Sequence, residues 1–119
     1  MKIVINRCFG GFGLSDQAFE LLLARKGIEF DKVIVENALL GTSYFKAGVP
    51  QTDDTYISEY EFYQNRADTD LIDVVEQLGD AANGWAAELV VVDVPDSVEW
   101  HINEYDGIEH VAENHRTWQ

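Results

Sequence analysis

The sequence predicts a small α+β domain, or a small α/β one. Its expected parts are a mixed sheet of about four to six strands, two main helices and a C-terminal β-hairpin. Three observations predict it. Short β-branched runs occur at Ile3-Val4-Ile5, Val33-Ile34-Val35 and Leu89 to Val94. Two stretches repeat apolar residues at helical spacing, each with a capping residue before it and a glycine after it. Alternating residues surround Asp106-Gly107, a strong two-residue turn signal. The chain has 119 residues, 46% of them apolar, which fits one domain over residues 1–119 with one core.

Residues 2–8 read as the first strand. Phe9-Gly10-Gly11-Phe12-Gly13-Leu14 is a glycine-rich turn leading to a helix over about residues 15–26. Ser15 is its N-cap, Asp16 suits the positive end of the helix dipole, Arg25 and Lys26 suit the negative end, and Gly27 stops it. Lys32 to Glu36 reads as a second strand, which would complete a right-handed βαβ unit if it ran parallel to the first. Residues 37–55 read as a long irregular stretch, punctuated by Gly41, Gly48, Pro50 and Asp53-Asp54. Tyr56 to Tyr63 leans to strand on its aromatic content. Asp68 or Asp70 caps a second helix with the stripe Leu71, Val74, Val75, Leu78 and Ala82, ended by Gly84. Leu89 to Val94, closed by Pro95, reads as a central strand. In the hairpin, Tyr105 faces Ile108, Ile102 faces Val111 and Asn103 faces His110.

Charge is unevenly placed. The net charge is −14, yet residues 1–50 carry +1 and residues 51–119 carry −15. Between Ala67 and His115 there are thirteen acids and no Lys or Arg. Such a field repels nucleic acid and anionic membrane and attracts basic surfaces. No apolar run approaches the ~20 residues of a membrane span, and the N-terminus has no signal-peptide run. The single cysteine, Cys8, suits a reducing cytoplasm. The expected partner is a protein with a basic surface, with no direct contact to nucleic acid or membrane; oligomeric state is left open.

Four features could carry chemistry. Gly10, Gly11, Phe12 and Gly13 sit between a strand and a helix start, where backbone N–H groups can cradle an anion. Their spacing matches neither the dinucleotide fingerprint nor the P-loop, and Asp16 would repel a phosphate, so the glycines equally serve tight packing. Cys8 could be a nucleophile if the helix start lowered its pKa, or simply a small buried apolar residue. On the hairpin, His101, Asn103, Tyr105 and His110 share one face, with the two histidines ~7–8 Å apart on a diagonal. They could bind a ligand or form a solvated face; a metal would need a third ligand that the sequence does not show. His115, Arg116 and Trp118 close the chain, and Arg116 and Arg66 could either pair with an internal acid or clamp an anionic ligand. No catalytic set, metal site or cofactor is assigned.

The opening Asn6-Arg7-Cys8-Phe9-Gly10-Gly11-Phe12-Gly13-Leu14-Ser15 resembles a family of small uncharacterised proteins encoded by bacteriophages and prophages. That family has an N-x-C-[FY]-G-G-F-x-L-S opening and an E-Y-D-G…H-R-x-W ending, matched by Glu104-Tyr105-Asp106-Gly107 and His115-Arg116-Thr117-Trp118. The resemblance covers both ends and implies a setting, a phage accessory protein in the cytoplasm of a bacterial host cell, but no mechanism.

Two functional expectations follow. The first is a non-enzymatic accessory protein that binds a host protein through its acidic C-terminal half, for example inhibiting a nucleic-acid-binding or defence factor. The alternative is a small-ligand, nucleotide-type binding protein or enzyme. Its pocket would be formed by the glycine-rich turn, Cys8, the hairpin histidines and Arg116. The alternative requires the two ends of the chain to converge. The first is weakened if the acids scatter evenly over the surface.

Overall fold

A computed structural model describes residues 1–34 and 42–113. Six strands and two α-helices follow in the order β1 (Lys2–Asn6), α1 (Asp16–Arg25), β2 (Phe30–Ile34), β3 (Thr42–Lys46), α2 (Thr69–Leu78), β4 (Leu89–Asp93), β5 (Trp100–Tyr105) and β6 (Ile108–Glu113). The fold is a small α+β one with two helices and a C-terminal hairpin, as the sequence predicts.

The strands are not joined in one mixed sheet. They form three two-stranded antiparallel ladders, β1–β4, β2–β3 and β5–β6. The expected parallel βαβ unit is absent because β2 pairs with β3, a strand inside the stretch read as irregular. β3 carries Thr42, Ser43 and Lys46 among its five residues, so it lacks the apolar run that marks the other strands. β2 also begins two residues earlier than expected; Val35 and Glu36 lie outside the described residues.

The β1–β4 ladder is the middle layer. Val4, Leu89 and Val91 face the two helices, while Ile3, Ile5, Val90, Val92 and Val94 face Trp100, Ile102 and Val111 of the hairpin. A strand covered on both faces needs apolar residues at every position, which is why Ile3-Val4-Ile5 does not alternate. Among the described residues the second edge of β1 forms no ladder with another strand. Val4 N–H donates to the Arg66 carbonyl (2.9 Å) and Asn6 N–H to the Glu109 carboxylate (2.9 Å), so side chain and loop close the edge.

Both helices start as their sequences dictate. Ser15 Oγ accepts from Ala18 N–H (3.1 Å), and Asp68 Oδ2 accepts from Leu71 N–H (3.1 Å). Ala18, Phe19, Leu22 and Leu23 of α1 pack against Leu71, Val74 and Val75 of α2. α2 ends earlier than expected: Gly79, at φ 57°, stops it and a 3-10 turn carries the chain to Ala82. Tyr56 to Tyr63 is no strand. Tyr56 makes one bridge to Phe45, and Glu59–Phe62 is a 3-10 turn. The hairpin register is as expected, with Tyr105 opposite Ile108, Ile102 opposite Val111 and Asn103 opposite His110. Asp106 (φ 49°) and Gly107 (φ 91°) give it the doubly left-handed turn their sequence encodes.

Candidate functional site

The glycine turn is a junction of three loops. Gly10 and Gly11 sit at φ 116° and 103°, open to glycine but strained for other residues. A side chain on Gly10 would start 2.7 Å from Ala86 Cβ, and one on Gly107 would start 2.7 Å from the Gly10 nitrogen. Gly10 N–H donates to the Asp106 carbonyl (3.2 Å), and Gly84 N–H to the Gly13 carbonyl (2.9 Å). The opening motif therefore lies between the hairpin turn on one side and the 83–87 loop on the other. The opening turn and the Glu104–Gly107 hairpin turn meet.

A buried polar knot ties this junction to β1. Asn6 is wholly buried, and its Nδ2 donates to the carbonyls of Cys8 (2.8 Å) and Gly107 (2.7 Å). Its Oδ1 accepts from the N–H groups of Glu88 (2.8 Å) and Cys8 (3.3 Å). Arg66 lies beside it, paired through both terminal nitrogens with Glu109 (2.6 and 2.9 Å). Arg66 Nε also donates to the Tyr63 carbonyl, and its guanidinium stands 3.9 Å over the Phe12 ring. Arg66 thus takes the internal partner that its sequence position allowed. Glu109, one acid among twenty-two, had no sequence signal to mark it.

Two clefts flank the junction. One, of about 580 Å³, runs between the glycine turn and the 83–87 loop, with Phe12, Asp16, Thr42, Glu59 and Trp85 in its walls. The other, of about 480 Å³, lies on the hairpin side with Tyr60, Tyr63, Arg66, Glu104 and Glu109. Gly10, Gly11 and Phe12 border both. In the first cleft, burial lifts the Glu59 carboxyl above its ordinary range. The Tyr63 hydroxyl opposes this by donating a hydrogen bond to Glu59, and the Asp16 charge adds to it. The same Tyr63 hydroxyl accepts from Leu14 N–H (3.3 Å), and burial and the Glu59 bond push its own pKa up. Two carboxylates thus border a cleft whose backbone donors at Gly10, Leu14 and Ser15 already have protein acceptors. That combination disfavours an anion.

Large aromatics stand out around the junction. Trp85 is fully exposed, and Phe9, Tyr60 and Tyr105 are 63%, 75% and 74% exposed. Phe9 adjoins Gly10, Trp85 adjoins Ala86 and Tyr105 adjoins Asp106, so the backbone contacts of the junction bring the three loops that carry them together. Trp85 was not singled out by sequence reasoning. A lone tryptophan between Gly84 and two alanines, in no apolar stripe, is the signal that could have found it.

No family model, curated protein or solved structure matches the chain.

The other expected site residues are spread out. Cys8 is half-buried beside the knot. His101, Tyr105 and His110 are exposed on the outer face of the hairpin, where Asn103 Nδ2 lies 3.4 Å from His110 Nε2. His101 and His110 border neither junction cleft. Among the described residues no group of His, Cys, Asp or Glu has the arrangement of a metal site. His115 and Arg116 lie outside the described residues, as does Trp118.

The lopsided charge is partly cancelled by the fold. Arg25 pairs with Asp70 and Asp73, Lys26 with Asp68 and Asp70, and Lys2 with Glu76. The N-terminal third thus lends its cations to α2. Among the described residues no Lys or Arg forms an ion pair with Glu88, Glu104 or Asp106 around the junction, nor with Asp16 and Glu59 in the first cleft. Among the described residues no helix is long and apolar enough to cross a membrane.

Proposed function

We propose that this chain is a non-enzymatic interaction protein that docks onto a basic surface of a partner protein, and that the junction loops, with Trp85, are its contact face. The observation that carries this reading is the exposure of Phe9, Trp85 and Tyr105 together on the loops that meet at Gly10. Exposed aromatics on adjoining loops are typical of protein contact sites, where Trp and Tyr are enriched among the residues that carry the binding energy. Glu88, Glu104 and Asp106, which form no ion pair among the described residues, favour a positively charged partner and speed its approach. The acidic half contributes less evenly than its composition implies, because α2 is internally paired.

The resemblance to phage-encoded proteins supports a setting inside a bacterial cell, with the partner a host protein such as a nucleic-acid-binding or defence factor whose basic groove is blocked. The small-ligand alternative has the convergence of the opening and hairpin turns in its favour. It has against it the internal use of Arg66 and the carboxylates in the cleft. Capture from a bacterial lysate with wild-type protein and with Trp85→Ala, read by mass spectrometry, tests the reading. A basic protein retained by the first and lost by the second supports it. Identical captures, or a bound small molecule and no protein, contradict it.

A further inference from the structure

The cleft of about 580 Å³ has a chemistry of its own beyond the exposed rim. Its walls combine the Phe12 ring, the fully exposed Trp85 and the carboxylates of Asp16 and Glu59. Thr42 donates to Asp16 (3.0 Å) and Tyr63 to Glu59, but among the described residues neither carboxylate meets a Lys or Arg. The two hydroxyls satisfy part of each carboxylate's acceptor capacity and none of its charge. On the hairpin side of the same Phe12 the protein shows how it satisfies such an arrangement. There Arg66 stands over the ring and pairs with Glu109.

We propose that this cleft seats an arginine side chain of the basic partner, with the guanidinium against Glu59 and Asp16 and its flat face against Trp85. Arginine fits better than lysine because its planar fork pairs with carboxylates and stacks on aromatic rings at once. The volume accommodates the side chain with part of its neighbouring backbone. A second copy of this chain is a poor occupant, since each carries a net charge of −14 and the two repel. The seat presupposes the interaction reading above and names the partner group that the junction grips.

The arrival of a cation also relieves Glu59. Burial raises its pKa in the free protein, and the groups facing it are the Asp16 carboxylate on α1 and the hydroxyls of Tyr63 and Tyr44, with no cation among them. Arginine binding therefore favours loss of the Glu59 proton, and affinity rises with pH through the range in which Glu59 titrates.

The probe is the peptide acetyl-Gly-Arg-Gly-amide, titrated into the ¹⁵N-labelled protein and followed by amide and indole N–H shifts. Its citrulline counterpart has the same shape without the charge. The expected result is saturable shifts at Trp85 and at the amides of Phe12, Thr42 and Glu59. Citrulline binding is about tenfold weaker or absent, and Glu59→Gln and Trp85→Ala each weaken the arginine peptide by a similar factor. Shifts spread over all the acids without saturation, or equal binding of citrulline, overturn the seat. So does self-association in sedimentation that Trp85→Ala abolishes, which would give the cleft to a second copy. If the seat fails while a basic partner is still lost on Trp85→Ala, the interaction reading stands alone. If no basic protein depends on Trp85, both fall.

Discussion

Arg66 and Glu109 form a two-pronged ion pair, 13% and 8% exposed, that closes the free edge of β1 between the helices and the hairpin. Glu109 bonds Arg66 and the Asn6 N–H at once, so it joins the loop before α2, the first strand and the last. Removing one partner leaves the other's charge buried and unpaired. Glu109→Gln and Arg66→Met are each expected to destabilise the fold by about 3–5 kcal/mol. Urea unfolding of the two single variants and the double checks this. The double variant should lose less than the sum of the singles.

The junction glycines make a second prediction. Gly107→Ala forces a methyl group into the backbone of Gly10 and Gly11, and Gly10→Ala forces one against Ala86. Each is expected to cost at least about 1–3 kcal/mol from strain at positive φ, with the clash added. Gly11→Ala meets no atom within 4 Å and pays only for its φ of 103°, so it should be the mildest of the three. Melting temperatures rank them.

Glu59 supplies a pH test. Its folded-state pKa is raised, so its contribution to stability is complete below the unfolded value near 4.5 and is lost as pH rises through the folded value. Glu59→Gln removes that loss. The variant should gain on the wild type as pH increases from below 4.5 towards neutrality, read from urea midpoints across that range. A wild type that gains instead would show that the Tyr63 hydrogen bond outweighs burial.

Lys26 follows the same sign in an alkaline window. Its pKa is raised by its hydrogen bond to Asp68 and by Asp70, so its contribution is complete below 10.5 and is lost only as pH rises through the higher folded value. Between pH 6 and 9 the α1–α2 clamp should hold unchanged. Arg25→Ala, at an exposed pair, should cost no more than about 1 kcal/mol.

Much of the fold was legible in the residues. Ser15, Asp68 and Gly27 bound their helices because capping and left-handed turns are local chemistry. The Asp106-Gly107 turn set the hairpin register because the turn and the alternating Val98–Ile102 pattern agree. What was not legible depends on distant partners. β3 has no apolar run of its own; Tyr44 becomes core only when β2 and α1 bring Phe30 and Phe19 against it at 5.3 and 5.0 Å. The site was half legible. The glycine turn was visible as a special turn, but its partners, Ala86 and Gly107, are about 75 and 95 residues away. The acidic half looked like one face until Arg25, Lys26 and Lys2 reached α2.

Trp85 tests the central claim most directly. It is fully exposed, so Trp85→Ala should change stability by no more than about 0.5 kcal/mol. Affinity for the captured basic partner is to be measured for the wild type, for Trp85→Ala, and for a charge control, Asp53→Asn with Asp54→Asn, beyond the Lys46 end of β3. Binding should fall at least about tenfold for Trp85→Ala and hold within about twofold for the control. Equal affinity of Trp85→Ala and the wild type, with the control weakened instead, would contradict a contact face at the junction.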